Sequence, residues 1–252
     1  MRNSGNTILI TGGGSGLGRE LARRFADQGN SVIVAGRRLD ALQETIEGRD
    51  NITAIAADMD DGAGIEAFAA DLIAQHPALN VVIANAGIMR YEDVSRSRDL
   101  SDAEATITTN LLGPIRLIDA LVDHLAAQAD AAIVTVSSGL AFVPMPATAT
   151  YCATKAAIHS YTVSLRQKLQ GKVEVIELVP PAVQTDLTPG QATRDGYMPL
   201  ADFIDEAMAQ FAQEPTPPEI LVDRVKPLRN AEAEGAYADR LALLSQIQSP
   251  TS

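Results

Sequence analysis

Tyr151 and Lys155 stand four residues apart, a spacing that places both side chains on one face of a helix, one turn apart. An ammonium held beside a phenol favours the phenolate and lowers the tyrosine pKa from its ordinary value of about 10. A phenol tuned in this way can give a proton to, or take one from, a carbonyl oxygen near neutral pH. Ser138 lies thirteen positions upstream of the tyrosine. It closes an apolar, β-branched run of strand type, so its hydroxyl falls at a strand's carboxyl end, where ligands bind in open α/β sheets. Taken alone, Tyr-x-x-x-Lys also describes a solvated lysine beside a half-buried tyrosine. The weight therefore rests on what surrounds it.

The elements that must hold these groups are legible. Ile158, Tyr161, Leu165 and Leu169 recur every three or four positions, which predicts a helix over 150–170. Near the start of the chain an apolar strand, Thr7-Ile8-Leu9-Ile10, runs into Thr11-Gly12-Gly13-Gly14-Ser15-Gly16-Leu17-Gly18, and a helix follows with Leu21 and Phe25 on its apolar face. Strand, glycine turn and helix form a phosphate-binding unit. The glycines admit the anion close to the backbone, and the helix N-terminus offers free N–H groups and a favourable dipole. The second strand, 31–35, ends in Gly36-Arg37-Arg38, where an acidic residue would contact an adenine ribose and an arginine would accommodate a 2′-phosphate. Arg37 and Arg38 therefore favour NADP(H) over NAD(H), although they could also simply begin a solvated helix.

Asp58 follows a third strand, 52–56, as an adenine contact or as a turn residue. Asn85-Ala86-Gly87 ends a fourth strand, 79–84, in a small polar turn against which a flat ring can lie. Asn110 sits in a helical region, 101–127, interrupted near Gly113-Pro114. Its amide needs partners among apolar neighbours, and a kink there would free a carbonyl to hold water. A sixth strand, 173–179, runs into Pro180-Pro181-Ala182-Val183-Gln184-Thr185. A mobile loop is expected over 186–199, then a helix over 200–211, a strand over 219–222 and a helix over 232–247. The order predicts one α/β domain spanning residues 1–252, a Rossmann-like doubly wound sheet with helices on both faces. Ser249–Ser252 are expected to be disordered.

The chain has 252 residues, 46% of them hydrophobic, and a net charge of −12. That charge argues against nucleic acid or an anionic membrane as the main partner. No stretch approaches a membrane span, and the opening residues lack the apolar run of a signal peptide. A single cysteine, Cys152, excludes an internal disulfide and fits a reducing cytoplasm. No metal site is expected, because His76, His124 and His159 are far apart.

With these motifs in place the chain resembles the short-chain dehydrogenase/reductase family over nearly its whole length. The resemblance rests on Thr11-Gly12-x-x-x-Gly16-Leu17-Gly18, Asn85-Ala86-Gly87, Asn110, Ser138 with Tyr151-x-x-x-Lys155, and Pro180-x-x-Val183-x-Thr185. It implies about seven mostly parallel strands and a catalytic tetrad of Asn110, Ser138, Tyr151 and Lys155. Tyr151 would be the general acid or base, Ser138 would hydrogen-bond the substrate oxygen, and Lys155 would bind the nicotinamide ribose. Asn110 would hold a water linking Lys155 to solvent. Gly12, Gly14, Ser15, Gly16, Leu17 and Gly18 would hold the cofactor phosphates, and Val183 and Thr185 the nicotinamide carboxamide. Pro181 departs from the family's usual glycine and stiffens that loop.

Residues flanking the tetrad are expected to line a substrate pocket: Leu140, Phe142, Val143 and Met145, Met89 and Tyr91, Leu187 and Tyr197. Their character points to an uncharged or hydrophobic ketone, aldehyde or secondary alcohol. A non-catalytic NADP(H) sensor on the same fold is the alternative, against which an intact Ser138–Tyr151–Lys155 set speaks. A sugar-nucleotide epimerase is disfavoured by the different glycine spacing. The resemblance also implies a homodimer or homotetramer, paired through the helices carrying Asn110 and Tyr151.

Overall fold

The computed structural model describes residues 1–247, so the expectation for Ser249–Ser252 lies outside them. Seven short strands form one sheet in the order β3-β2-β1-β4-β5-β6-β7. They are β1 (Thr7–Thr11), β2 (Ser31–Gly36), β3 (Ile52–Ala56), β4 (Leu79–Ala84), β5 (Ala132–Val136), β6 (Glu174–Leu178) and β7 (Glu219–Ile220). Every pairing is parallel. Such strands are covered on both faces, which is why β4 and β5 are apolar and buried along their whole length.

One face packs against α1 (Gly16–Asp27), α2 (Leu39–Ile46) and α7 (Leu200–Phe211), through residues such as Leu21, Phe25, Leu42, Phe203 and Phe211. The other packs against α3 (Gly62–Gln75), α5 (Gly113–Ala126) and α6 (Ala149–Lys168), through Ile65, Leu72, Leu117, Leu121 and Leu165. The strand order reverses between β1 and β4, and that reversal opens a crevice at the carboxyl ends of the strands. The site lies there.

Two expectations are corrected. The interruption after α4 (Ser101–Ile107) is a π-helical turn over Thr108–Leu112 rather than a break at Gly113-Pro114. Pro114 follows that turn without a break and, having no N–H, leaves a carbonyl of the π turn without its helical donor. In place of the single helix expected over 232–247 stands α9 (Tyr237–Leu244), half that length, with a four-residue α8 (Lys226–Arg229) ahead of the expected span. Gly235, at φ +69°, turns the chain left-handed between them.

Candidate active site

The glycine turn is shaped by what a side chain would strike. A Cβ on Gly18 would meet the Gly12 carbonyl oxygen at 2.3 Å, and one on Gly12, itself at φ +67°, would lie 2.9 Å from the Ala86 Cα. The turn is thereby pressed onto the end of β4. Thr11 Oγ1 accepts hydrogen bonds from the N–H groups of Asn85 and Ala86, both at 3.1 Å. Asn85 Nδ2 donates to the Thr11 carbonyl at 2.9 Å. At the start of α1, Ser15 makes no side-chain cap and the first turn holds no acid, so the helix end keeps the free N–H groups and dipole that favour an anion.

A cleft of about 490 Å³ runs from this turn to Tyr151, a size suited to a cofactor. Gly12, Ser15, Gly16, Leu17, Arg37, Arg38, Asp58, Asn85, Ala86, Gly87, Ser138, Tyr151, Lys155, Pro181, Val183, Thr185 and Leu187 all line it. Gly14 instead faces a smaller adjoining hollow beneath Arg37 and Arg38, and Gly18 is buried under the turn. These features fit a dinucleotide: close-approach glycines at one end, cationic side chains beside them and a buried polar centre at the other.

Tyr151 enters from the first turn of α6. That turn is anchored by Glu92, whose carboxylate accepts both the Thr150 N–H and the Thr150 hydroxyl and pairs with Arg98 at 2.6 Å. Burial pushes the Glu92 carboxyl up, but the Thr150 and Arg98 contacts outweigh it and leave the pKa below the usual carboxylate value. Tyr151 is buried, and burial drives its phenol well above the ordinary value; the Ser138 hydroxyl opposes part of the rise and Cys152 adds to it. The sequence had suggested a lowered value, and the correction has a geometric cause. Lys155 Nζ lies 5.6 Å from the Tyr151 ring centroid and donates to the Val136 carbonyl at 2.8 Å. Burial in turn pushes the Lys155 ammonium down to about 8. Ser138 caps its own loop, accepting from the Leu140 N–H at 3.1 Å.

Asn110 stands in the π turn with its amide fully engaged. Oδ1 accepts from the Ile88 N–H at 2.8 Å, and Nδ2 donates to the Ile88 carbonyl at 2.8 Å and to Thr154 Oγ1 at 3.3 Å. It lies behind the cleft wall: a Cβ on Gly87 would be 3.3 Å from Asn110 Oδ1 and 3.7 Å from Lys155 Nζ. The tetrad residues are thus brought together, with Asn110 holding the loop after Asn85-Ala86-Gly87.

At the other end Arg37 pairs with Asp60 at 3.3 Å, while Arg38 makes no ion pair among the described residues. Both are exposed. Asp60 also accepts from Thr109 Oγ1 at 2.6 Å. Asp58 receives the Asp60 N–H in a local turn, yet still borders the cleft.

The substrate side departs most from expectation. Phe142 turns away from the cleft: its ring meets His159 at 4.7 Å and carries the Arg229 guanidinium at 4.5 Å. The 3-10 turn Gly139–Ala141 sends it there. Val143 is fully buried. Leu140 and Met145 do not line the cleft either; they join Met89, Tyr91 and Leu187 in an apolar cluster around Tyr151 and Cys152, against which Leu244 and Ile247 also pack. Tyr197 receives a hydrogen bond from Arg194, which also donates to Tyr91 at 3.1 Å. The loop after Pro181 is pinned at its ends by a bridge between Val183 and Met198.

Several lining residues carried no signal in the sequence, among them Asp60, Arg90, Thr109 and Gln191. Each is a single polar residue in a loop or helix, and only the tertiary fold aims it. His159, on α6, contacts the buried Glu177 at 2.8 Å. Glu219 offers a carboxylate oxygen within 4.8 Å of both, and its carboxylate accepts two hydrogen bonds from Arg229. The cluster thus joins an Arg229–Glu219 ion pair to a His159–Glu177 hydrogen bond.

Residues 6–195 match the family model for short chain dehydrogenases. An uncharacterized oxidoreductase, DltE, of Bacillus subtilis is 37% identical over 235 residues, spanning 92% of this chain and 93% of that one. Among solved structures, a short chain dehydrogenase from Burkholderia cenocepacia in complex with NADP superposes with a TM-score of 0.82 at 23% identity, over 99% of this chain and 100% of that one. One from Burkholderia phymatum in complex with NAD gives 0.81 at 22% identity, over 100% and 99%. On the breadth of the sequence match, the chain belongs to the short-chain dehydrogenase/reductase family of oxidoreductases.

Proposed function

We propose that this protein transfers a hydride between NADP(H) and a small ketone, aldehyde or secondary alcohol, with Tyr151 as the proton donor or acceptor. The observation that carries the reading is the convergence of Ser138, Tyr151 and Lys155 at one end of a cleft whose other end is a close-approach glycine turn. A bound nicotinamide supplies or takes the hydride. The chain's own task is the proton and the alignment. Tyr151 gives its phenolic proton to the carbonyl oxygen, and Ser138 holds that oxygen by a hydrogen bond. The high phenol pKa set by burial makes the neutral acid the resting form, so the developing phenolate needs the Lys155 cation nearby. Asn110 spends its amide on Ile88, so a water in its neighbourhood would be held by main-chain carbonyls of the π turn.

Arg38 is the group that favours a 2′-phosphate, because no carboxylate competes for it among the described residues; Arg37 assists from its pair with Asp60. The apolar cluster of Met89, Met145 and Leu187 next to Tyr151 supports an uncharged or hydrophobic substrate, although Arg90, exposed on the cleft wall, makes anionic carbonyls the necessary contrast. A cytoplasmic homodimer or homotetramer completes the proposal. The outer face of α6 exposes Ala153, Ala156, Ser160 and Val163, and Ile107 and Leu112 are exposed nearby on the Asn110 region. Light scattering that returned a monomer would remove that part.

The deciding experiment follows absorbance at 340 nm with NADPH and with NADH against a panel of neutral and anionic aldehydes and ketones. NADPH-dependent turnover of neutral carbonyls is the expected result. Tight NADPH binding with no oxidation across the whole panel would favour the sensor instead.

A further inference from the structure

Gln191 belongs to the loop between β6 and α7, is buried, and reaches the cleft wall beside Thr185. Its contacts fix which way round its amide lies. Nε2 stands 2.9 Å from the Val183 carbonyl, a group that can only accept, so the NH2 end must face it. The Thr188 hydroxyl then donates to Oε1 at 2.8 Å. The remaining amide hydrogen points at Thr185 Oγ1, 3.1 Å away.

That last contact decides the polarity of a second group. Thr185 Oγ1 is already an acceptor toward Gln191, and it donates to no protein group among the described residues. Thr185 is 9% exposed and borders the cleft, and a Cβ on Gly16, at the start of α1, would lie 3.4 Å from its side-chain carbons. A hydroxyl so placed has one direction left for its proton. We propose that Gln191 is a positioning residue that turns the Thr185 hydroxyl proton into the cleft, so that Thr185, which the family resemblance already sets against the cofactor, acts there as a donor to an oxygen of the bound dinucleotide and not as an acceptor. The oxygen is either that of the nicotinamide carboxamide or one of the pyrophosphate, since Thr185 stands between the glycine turn and the nicotinamide end. The inference rests on the dinucleotide reading given above.

The test is a double-mutant cycle on the full-length protein, reading dissociation constants for NADPH, 2′-phospho-ADP-ribose and 2′,5′-ADP. The variants are Gln191→Glu, Thr185→Val and the pair. In Gln191→Glu the carboxylate cannot donate, so the Thr185 proton is drawn back to it. NADPH binding should weaken roughly 3–10-fold if the acceptor is the carboxamide oxygen, the worth of one neutral hydrogen bond, and by about tenfold or more if it is a charged pyrophosphate oxygen. Thr185→Val should weaken it about as much, and the double variant should bind no worse than Thr185→Val alone. The 2′,5′-ADP constant, which reports only the far end of the cleft, should be the same in all. A loss that persists with 2′-phospho-ADP-ribose assigns the bond to the pyrophosphate; one confined to NADPH assigns it to the carboxamide. If the two losses simply add in the double variant, Gln191 acts on the loop and not through Thr185, and the proposal is overturned. Should Gln191→Glu fail to fold, Gln191→Met removes the same N–H in the same cycle. A wild-type protein that bound neither NADPH nor NADH would bring down the dinucleotide reading itself, which the cycle leaves distinct.

Discussion

At one end of the cleft Arg37 and Arg38 stand in solvent, one loosely paired and the other with no acid beside it among the described residues. At the other, Tyr151, Lys155 and Asn110 are all less than a tenth exposed and wedged between β5, α6 and the loop after β4. The first end relies on charges that water screens. The second relies on groups stripped of water, whose proton affinities shift because the charged form is poorly solvated. Recognition of a phosphate can tolerate the first arrangement, whereas proton transfer needs the second. The same contrast ranks how strongly each end should respond to change.

The largest response belongs to Tyr151→Phe, which removes the only proposed proton donor while leaving the ring in place. Turnover at 340 nm should fall by roughly 10²–10⁴-fold with the NADPH dissociation constant nearly unchanged; full activity would show that the buried end is not where the chemistry occurs. Next comes Lys155→Met, read as stability. The folded pKa of Lys155 is depressed to about 8 from 10.5, so the buried ammonium costs stability in full below pH 8, and that cost fades as pH rises from 8 toward 10.5. The variant should therefore gain stability at pH 7, by at most about 3 kcal/mol less the lost bond to Val136, and the gain should shrink by pH 10. Denaturation midpoints at the two pH values check the sign. Gly18→Ala should destabilise by about 1–3 kcal/mol through the clash with the Gly12 carbonyl, visible as a lowered melting temperature. The smallest effects fall at the exposed end. Arg38→Ala should raise the KM for NADPH about tenfold, as expected for a hydrogen bond to a charged group, and leave that for NADH alone. Arg37→Ala should do less, because its charge is shared with Asp60. Equal effects would erase the distinction between the two arginines.

What could be read from the sequence follows the same division. Short-range spacing carried most of it: the glycine turn, the Tyr-x-x-x-Lys pair and the apolar strands are local patterns, and α7 falls over the expected span, Leu200–Phe211. Long-range aim was not legible. Glu92 anchors α6 from a position 58 residues away, and Gln191 is one glutamine in a loop, indistinguishable by type from its exposed neighbours. Phe142 was assigned to the pocket because it follows Ser138 closely, but a single 3-10 turn rotated it onto His159 and Arg229. The lowered tyrosine pKa assumed contact with Lys155; the lysine's preference for a buried carbonyl, Val136, could be seen only once β5 and α6 were docked.

The π turn over Thr108–Leu112 fits one surplus residue into a coil that would otherwise continue straight from Ser101 to Ala126. Removing one residue from that turn would let the rod close its regular ladder, and by the usual measure of local helix strength it would be the sounder rod. The flanking segments would keep their phase, since the wider turn already absorbs the surplus residue, but the side chains inside the turn would be re-aimed and the Asn110 amide carried off Ile88. The deletion would thus give a firmer helix and a slack wall behind the reacting atoms, which marks this turn as the place where the chain keeps aim in preference to regularity.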